Sequence, residues 1–362
     1  MHWLNRRAAA LAAALIVTLA SVVGVASTRP AQAADGTFSF ELWGDVPYAK
    51  AGNAAEVPLM IADMNGEPLA FTIFDGDTKD GSSKCEDTVY SDAVARFNSV
   101  AAPTVYVLGD NEWTDCHRTN NGSWNALERL DHIRRTMFTT TRSFGRSTME
   151  LEHQGAPGQK YVENTRWTYQ NVVFVGLNMP GSNNNYVRTA DQCADSGKTK
   201  RSLQECMADN AEAYARDMAN IDWMRRSFAL AEKQNSPGIM FVIQADPGFD
   251  LPETSADERS DPALDGYTSF LDALVAETQA YSGQVVLVHG DSHFFKVDKP
   301  LAIDPAAKGN KLVINDNAHV IPNFTRVQTF GSANVQWVKA TVNPGDRNVF
   351  TFEPMIVPAA KN

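Results

Sequence analysis

Beyond residue 26 the sequence has no apolar run long enough to cross a bilayer, so the expectation is a processed chain without a membrane span. It has no C-x-x-C pair, the spacing that structural zinc sites usually use. No low-complexity linker divides it and no tandem repeat runs through it, which favours a single domain. Positive charge is also scarce. Against 43 Asp and Glu there are 32 Lys and Arg, a formal net charge of −11. Nonspecific nucleic-acid binding needs Lys and Arg to displace counterions, so an acidic surface argues against it. A phosphorylated small molecule held through a metal remains compatible with that surface.

What is present is globular in composition. A chain of 362 residues that is 43% hydrophobic and 21% charged can build a core without metals or crosslinks. Its first 33 residues stand apart from that core. Arg6 and Arg7 precede an apolar run from Ala8 to Ala26, and "AQA" at 31–33 is a small-residue cleavage pattern. Residues 1–33 therefore read as a secretory signal peptide and 34–362 as the mature domain. Retention of the run as an anchor is the alternative, because its length is near the spanning limit. Cleavage would remove Arg6, Arg7 and Arg29 and no acid, taking the formal charge from −11 to −14. The expected location is secreted or cell envelope, the periplasm in a two-membrane bacterium.

Four cysteines, an even number in an exported chain, read as two disulfides. Three pairings are open. Cys193 and Cys206 lie close together in a polar insertion that they would staple, and Cys85 and Cys116 would then pair.

Short β-rich apolar runs alternate with helical patterns, which indicates α/β layers. Strands are expected at 38–43, 70–74, 104–108, 171–177, 238–244, 284–289 and 311–315. Runs at 324–330, 335–342 and 349–353 alternate apolar and polar, as half-exposed antiparallel strands do. In the first of these, Arg326 is expected to face solvent. Helices are expected at 54–64, 91–100, 124–138, 206–233 and 267–281. The fourth would bury a face made of Ala215, Met218, Ile221, Met224 and Phe228. Stretches 180–202 and 245–266 read as long surface loops.

Gly-Asp directly after an apolar strand occurs four times, ending at Asp45, Asp77, Asp110 and Asp291. A fifth, at Asp346, follows Pro344 and reads as an ordinary turn. Ligands of α/β sheets bind beyond the carboxyl ends of the strands. Glycine there lets the backbone turn and approach a ligand, and the following Asp projects into the crevice. Four converging carboxylates repel one another and need a cation or protons. With the imidazole of "GDSH" (290–293) beside them, a divalent metal site is the expectation.

Over nearly the whole mature chain these residues resemble a calcineurin-like metallophosphoesterase. Members of that family carry D-x-H, G-D-x-x-(D/Y), G-N-H-(D/E), a strand-end His and G-H-x-H in that order. Here "GDVPY" matches the first motif at Asp45, with Pro47 in place of His. "GDTKD" places Asp77 at the bridging Asp. "GDNEW" puts Asp110 at the Asn ligand, Asn111 at the catalytic His and Glu112 at the acid. "FVIQADP" offers Gln244 for the strand-end His, and "GDSH" replaces one His by Asp291 and keeps His293.

The resemblance implies a four-layer αββα sandwich of two mixed sheets flanked by helices. It also implies a hydrolase acting on a phosphomonoester or phosphodiester through metal-activated water. The implied ligands are Asp45, Asp77, Asp110, Asp291 and His293, with Asn111 and Gln244 as further candidates. This oxygen-rich shell suits one or two Mn²⁺, Mg²⁺ or Ca²⁺ ions better than Zn²⁺. Asn111 cannot protonate a leaving group. His117 and His289 are then candidate donors, unless the substrate has a leaving group that needs none. Arg118 would steer a phosphate. Glu112 and Asn178 are candidates to reach the metal or substrate, though Asn178 reads better as a strand-end residue closing a turn. Cys85 follows Asp77 and Cys116 follows Asp110, so the implied disulfide would brace both metal-bearing loops. The missing histidines leave a noncatalytic metal- or ligand-binding protein on the same fold as the alternative.

Overall fold

Strand β1 (Phe38–Trp43) turns Phe40 and Leu42 to one face and Glu41 and Trp43 to the other, by the two-residue period of a strand. Both faces are buried, so the run reads almost continuously apolar. The same division recurs in β8 (Gln284–His289). Val286 and Val288 join the layer that holds Phe40, while Val285 and Leu287 join a separate apolar cluster. Two sheets packed face to face, each covered on its outer side, follow from this parity. The computed structural model describes residues 36–187, 193, 199–249, 265–306, 311–314, 316 and 318–358. The expected signal segment lies outside the described residues.

In the first sheet β14 (Phe350–Met355), β13 (Trp337–Val342), β1, β2 (Thr72–Phe74) and β3 (Thr104–Tyr106) lie side by side in that order. The last three run parallel, and β13 is antiparallel to both its neighbours. The second sheet orders β4 (Glu152–His153), β5 (Thr165–Tyr169), β6 (Val172–Gly176), β7 (Gly238–Val242), β8, β12 (Phe324–Gln328) and β9 (Lys296–Asp298). Its centre, β6 through β12, is parallel. A separate hairpin joins β10 (Leu301–Asp304) to β11 (Lys311–Ile314). Helices α1 (Val57–Met64), α2 (Asp87–Phe97) and α3 (Ala126–Thr136) pack Met60, Phe97 and Ile133 on Trp43, Phe74 and Tyr106. Helices α4 (Leu203–Gln234) and α5 (Thr268–Ala280) pack Met224, Phe228 and Leu271 on Val173, Phe241 and Leu287. The result is a mixed α/β sandwich of two sheets flanked by helices. Each fully buried Phe or Leu in these layers contributes roughly 1.5–3 kcal/mol.

Three expectations are corrected. Strand β12 is not a half-exposed antiparallel edge. It runs parallel to β8, and Arg326 is fully buried, its guanidinium forked onto Asp298 at 2.6 and 2.7 Å. Strand β9 covers that side, so alternation reported a buried ion pair rather than solvent. In α4, Ala215 and Met218 face outward. The buried stripe of its first half is polar, formed by Asp209, Arg216 and Asn220, which is why apolar periodicity misplaced it. The helix begins three residues earlier than expected because Ser202 and Glu205 form a reciprocal capping box. The strand expected at 311–315 forms over the described residues 311–314, within the separate hairpin.

Glu41 is an ionisable misfit beneath the helices of the first sheet. It is fully buried, and neither carboxylate oxygen has a hydrogen-bond partner among the described residues. Its cross-strand neighbour Lys339 reaches instead to Glu67 at 2.6 Å. Burial, reinforced by Asp63, holds the Glu41 carboxyl well above the usual range of about 4.5. Glu41 is therefore neutral in the folded state and ionised in the unfolded state. The unfolded chain binds fewer protons, so stability falls as pH rises above about 4.5, by up to about 1.4 kcal/mol per pH unit. Urea titrations of wild type and Glu41→Gln between pH 5 and 8 should show the variant gaining steadily on the wild type. A constant difference would contradict this account.

Candidate metal centre

The carboxyl ends of β1, β2, β3, β7 and β8 open onto one crevice. Parallel register sets neighbouring ends level: Trp43 pairs with Phe74, Phe74 with Tyr106 and Val242 with Val288. Each chain then turns within a few residues, and Asp45, Asp77, Asp110, Asp291 and Gln244 all project inward. Asp45, Asp77, Asp291 and His293 adopt left-handed backbone conformations, with φ of 54°, 62°, 67° and 67°. Such conformations cost on the order of 1 kcal/mol each in a non-glycine residue and concentrate at functional sites. Gly76, with φ of 118°, makes the expected left-handed turn, and two other glycines of the motifs clear space. A Cβ on Gly109 would stand 2.0 Å from Asp77 Oδ1, and one on Gly290 would stand 2.3 Å from Asp45 Oδ2. Each clears room for the carboxylate of another motif.

Asp77, Asp110 and Asp291 come together, each offering an oxygen within 4.8 Å of the others. Asp77 and Asp110 are buried and Asp291 is half-buried. Asp110 Oδ2 accepts from the Ser182 hydroxyl at 2.6 Å, and Gln244 Nε2 approaches Asp110 Oδ1 at 3.5 Å. Asp77 accepts from the Asn111 backbone N–H at 3.1 Å and from its side-chain amide at 2.5 Å. Asp45 lies beside the triad. Its Oδ2 accepts from the Asp291 backbone N–H at 3.3 Å, and its Oδ1 is 3.1 Å from His293 Nε2.

Protonation follows from this crowding. Burial first, then Asp110, Glu112, Asp45 and Asp291, raises the Asp77 carboxyl far above its usual range. Asp291 is raised by burial and then by Asp110 and Asp45. Asp75, buried behind them with Oδ2 on the Thr329 hydroxyl at 2.7 Å, is raised by burial and then by Asp45. Burial opposes charge on His293, but the hydrogen bond and charge of Asp45 outweigh it and hold the imidazole at about 9. Without a cation the cluster retains protons; a divalent ion would replace them. Three crowded carboxylates form a hard oxygen donor set that fits Mn²⁺, Mg²⁺ or Ca²⁺.

Other candidates lie elsewhere. The His117 ring meets the Thr199 hydroxyl at 2.8 Å, and burial together with Arg201 and Arg118 pushes its pKa down to about 3. It faces a polar loop rather than the carboxylates. His289 is fully buried, with Nδ1 2.9 Å from its neighbour's carbonyl and Nε2 3.2 Å from Arg326. Asn178 donates to Glu163 at 3.0 Å, in a network with Arg134 away from the triad. Glu112 supports the crevice from behind, accepting from Tyr106 at 2.8 Å and from the Gly109 N–H at 3.3 Å. Arg118 pairs with Asp115 and donates to Ser182 at 3.2 Å, at the rim.

Four residues enter the site without having been singled out by sequence. They are Tyr48, Asp75, Ser182 and Asp246, whose N–H reaches Asp291 Oδ2 at 3.4 Å. Tyr48 closes "GDVPY" and Asp246 lies in "FVIQADP", so both sat inside quoted motifs; Asp75 directly precedes the Gly-Asp pair of Asp77, and nothing marked Ser182.

Both disulfides form between the closer partners, Cys85–Cys116 and Cys193–Cys206. The first ties the segment after Asp77 to the one after Asp110, and both of its sulfurs approach the Asn111 carbonyl. Among the described residues, no helix is long and apolar enough to cross a membrane.

No family model matches the sequence, and no curated protein matches it. Several solved structures are similar. GAP50, the anchor in the inner membrane complex of Plasmodium, is 11% identical over 88% of this chain and 89% of its own, with a TM-score of 0.42. TT1561 of Thermus thermophilus is 9% identical over 89% and 99%, with a TM-score of 0.39. Purple acid phosphatase PPD1 from yellow lupin seeds is 11% identical over 92% of this chain but 53% of its own, with a TM-score of 0.46. Identities this low say nothing of the chemistry at the site.

Two outcomes are expected. Asp291→Asn removes a carboxyl that its neighbours force to take up a proton on folding, so it should raise the melting temperature in chelator. It should also shrink the further rise on adding Mn²⁺, which in wild type is about 2.7 kcal/mol at a hundredfold excess over Kd. Differential scanning fluorimetry with and without Mn²⁺ reads both effects. Replacing Cys85 and Cys116 together by Ser frees a 31-residue separation and should cost about 3–4 kcal/mol in chemical denaturation.

Proposed function

We propose that this chain is an exported, metal-dependent phosphoesterase that hydrolyses a phosphomonoester or phosphodiester. Residues 1–33 act as a cleaved signal and 34–362 as one catalytic domain. The observation that carries the reading is the triad of Asp77, Asp110 and Asp291, the first two buried and the third half-buried at the ends of strands from both sheets, with oxygens within 4.8 Å of one another. Two disulfides suit an oxidising compartment outside the cytoplasm.

Asp77, Asp110 and Asp291 would hold the ion, with Gln244 lining its approach. A bound divalent ion supplies Lewis-acid polarisation of a phosphoryl oxygen and acidifies water. The chain's own residues do the rest. Ser182 orients Asp110, and the Asn111 N–H and amide orient Asp77. Arg118, half exposed at the rim beside Ser182, is placed to meet an incoming phosphate. Asn111 does not titrate, and the His117 ring faces away from the triad, so neither protonates a leaving group. The substrate class is therefore an ester whose leaving group is stable as an anion, such as an aryl or phosphoryl oxygen.

The histidines missing from the first, third and fourth motifs of the resemblance favour a second reading, a noncatalytic metal- or ligand-binding protein. Chromogenic aryl phosphate mono- and diesters assayed across Mn²⁺, Mg²⁺, Ca²⁺ and Zn²⁺ separate the two. Metal-dependent turnover that falls at least about 100-fold in Asp77→Asn is the expected result. Metal binding without turnover on any ester leaves the binding protein. Absence of both ends the metal reading.

A further inference from the structure

Two sets of donors share Asp77. One is the triad with Asp110 and Asp291. The other is Asp45 Oδ1, Asp77 Oδ2 and His293 Nε2, and these converge on the hydroxyl of Tyr48. The distances to that oxygen are 3.2, 2.8 and 3.4 Å, and the Asn111 side-chain amide adds a fourth contact at 3.2 Å. Two carboxylates and an imidazole aimed at one point form a mixed oxygen and nitrogen donor set for a divalent cation. A phenol oxygen stands at that point.

The hydroxyl's place is built rather than incidental. The Tyr48 backbone N–H donates to Asn53 Oδ1 at 2.8 Å. Asn53, buried, donates in turn to the Ser332 hydroxyl at 3.0 Å. The Ser332 carbonyl accepts from His293 Nδ1 at 2.7 Å, and the Ser332 N–H donates to the Asp45 carbonyl at 3.1 Å. The Tyr48 ring meets the His293 ring edge to face, with centroids 5.3 Å apart. The residues that surround the hydroxyl are thus tied to the turn that carries it. A hydroxyl has one proton to donate and two lone pairs. It donates to the nearer carboxylate, Asp77, and accepts from Asn111.

We propose that the Tyr48 hydroxyl permanently fills one of two cation positions around Asp77, so that the centre takes a single divalent ion, at Asp77, Asp110 and Asp291. The inference rests on the metal-dependent reading above and refines it. Tyr48 is a positioning residue: it holds one face of Asp77 and leaves the carboxylate free to serve the triad. Asp45 and His293 become a hydrogen-bonded pair around that hydroxyl instead of ligands. Proline at position 47 supplies no donor to this pocket that could compete with the hydroxyl.

Metal content and electron paramagnetic resonance of Mn²⁺-loaded protein test this without any assay of activity. Wild type should bind one Mn²⁺ per chain and give the six-line spectrum of an isolated ion. Tyr48→Phe keeps the ring and removes the hydroxyl; Tyr48→Ala also clears the ring. At least one of them, folded by circular dichroism, should bind a second Mn²⁺ and show spin coupling between the two ions. Two ions in wild type, or one ion in both folded variants, overturns the proposal and leaves the metal-dependent reading standing. No ion in any of the three proteins overturns that reading and this proposal with it.

Discussion

Mutual repulsion among buried carboxylates is the constraint on which the site depends. Asp45, Asp75, Asp77 and Asp110 are buried together with Asp291 half-buried beside them. Several neighbouring groups answer that crowding. Tyr48, Asn111, Ser182 and Thr329 donate hydrogen bonds into it, and His293 brings a proton. Backbone N–H groups of Asn111, Asp246 and Asp291 point at it as well. Such an arrangement is unfavourable without a counter-charge, which the proposed cation would supply.

The sandwich is what concentrates the charge. Parallel strands end level, so the two sheets deliver their Gly-Asp turns to one edge of the stack. Glycine at 109 and 290 lets the turns approach until one motif's backbone touches another's carboxylate. The Cys85–Cys116 link and Glu112 then fix the segments behind the triad. Stability is given up locally, in left-handed backbone and desolvated acids, and recovered in three apolar layers.

The crevice is divided in two. Around Asp77, one donor set meets a phenol hydroxyl, and the other is carboxylates with little but Ser182 and Gln244 between them. Hydrogen bonding satisfies the first half at neutral pH. The second half has more negative charge than protein donors to balance it. That asymmetry separates a position suited to an ion from one already satisfied by the chain.

Much of this was legible in sequence. Apolar runs ending in Gly-Asp located the strands and their functional ends, because side-chain alternation and turn chemistry are local properties. Helix positions followed from periodicity, except where α4 buries Asp209, Arg216 and Asn220 and the apolar count misled. Arg326 looked like a solvent-facing residue because alternation cannot see the strand that covers it. The sequence by itself determined which residue types stand at the strand ends, and hence an oxygen-rich site. Only the tertiary structure decided which of them meet. Asp45 and His293 are 248 residues apart, while His117, only seven beyond Asp110, turns to Thr199. Contact across such separations is set by sheet order and register, to which no local pattern is sensitive.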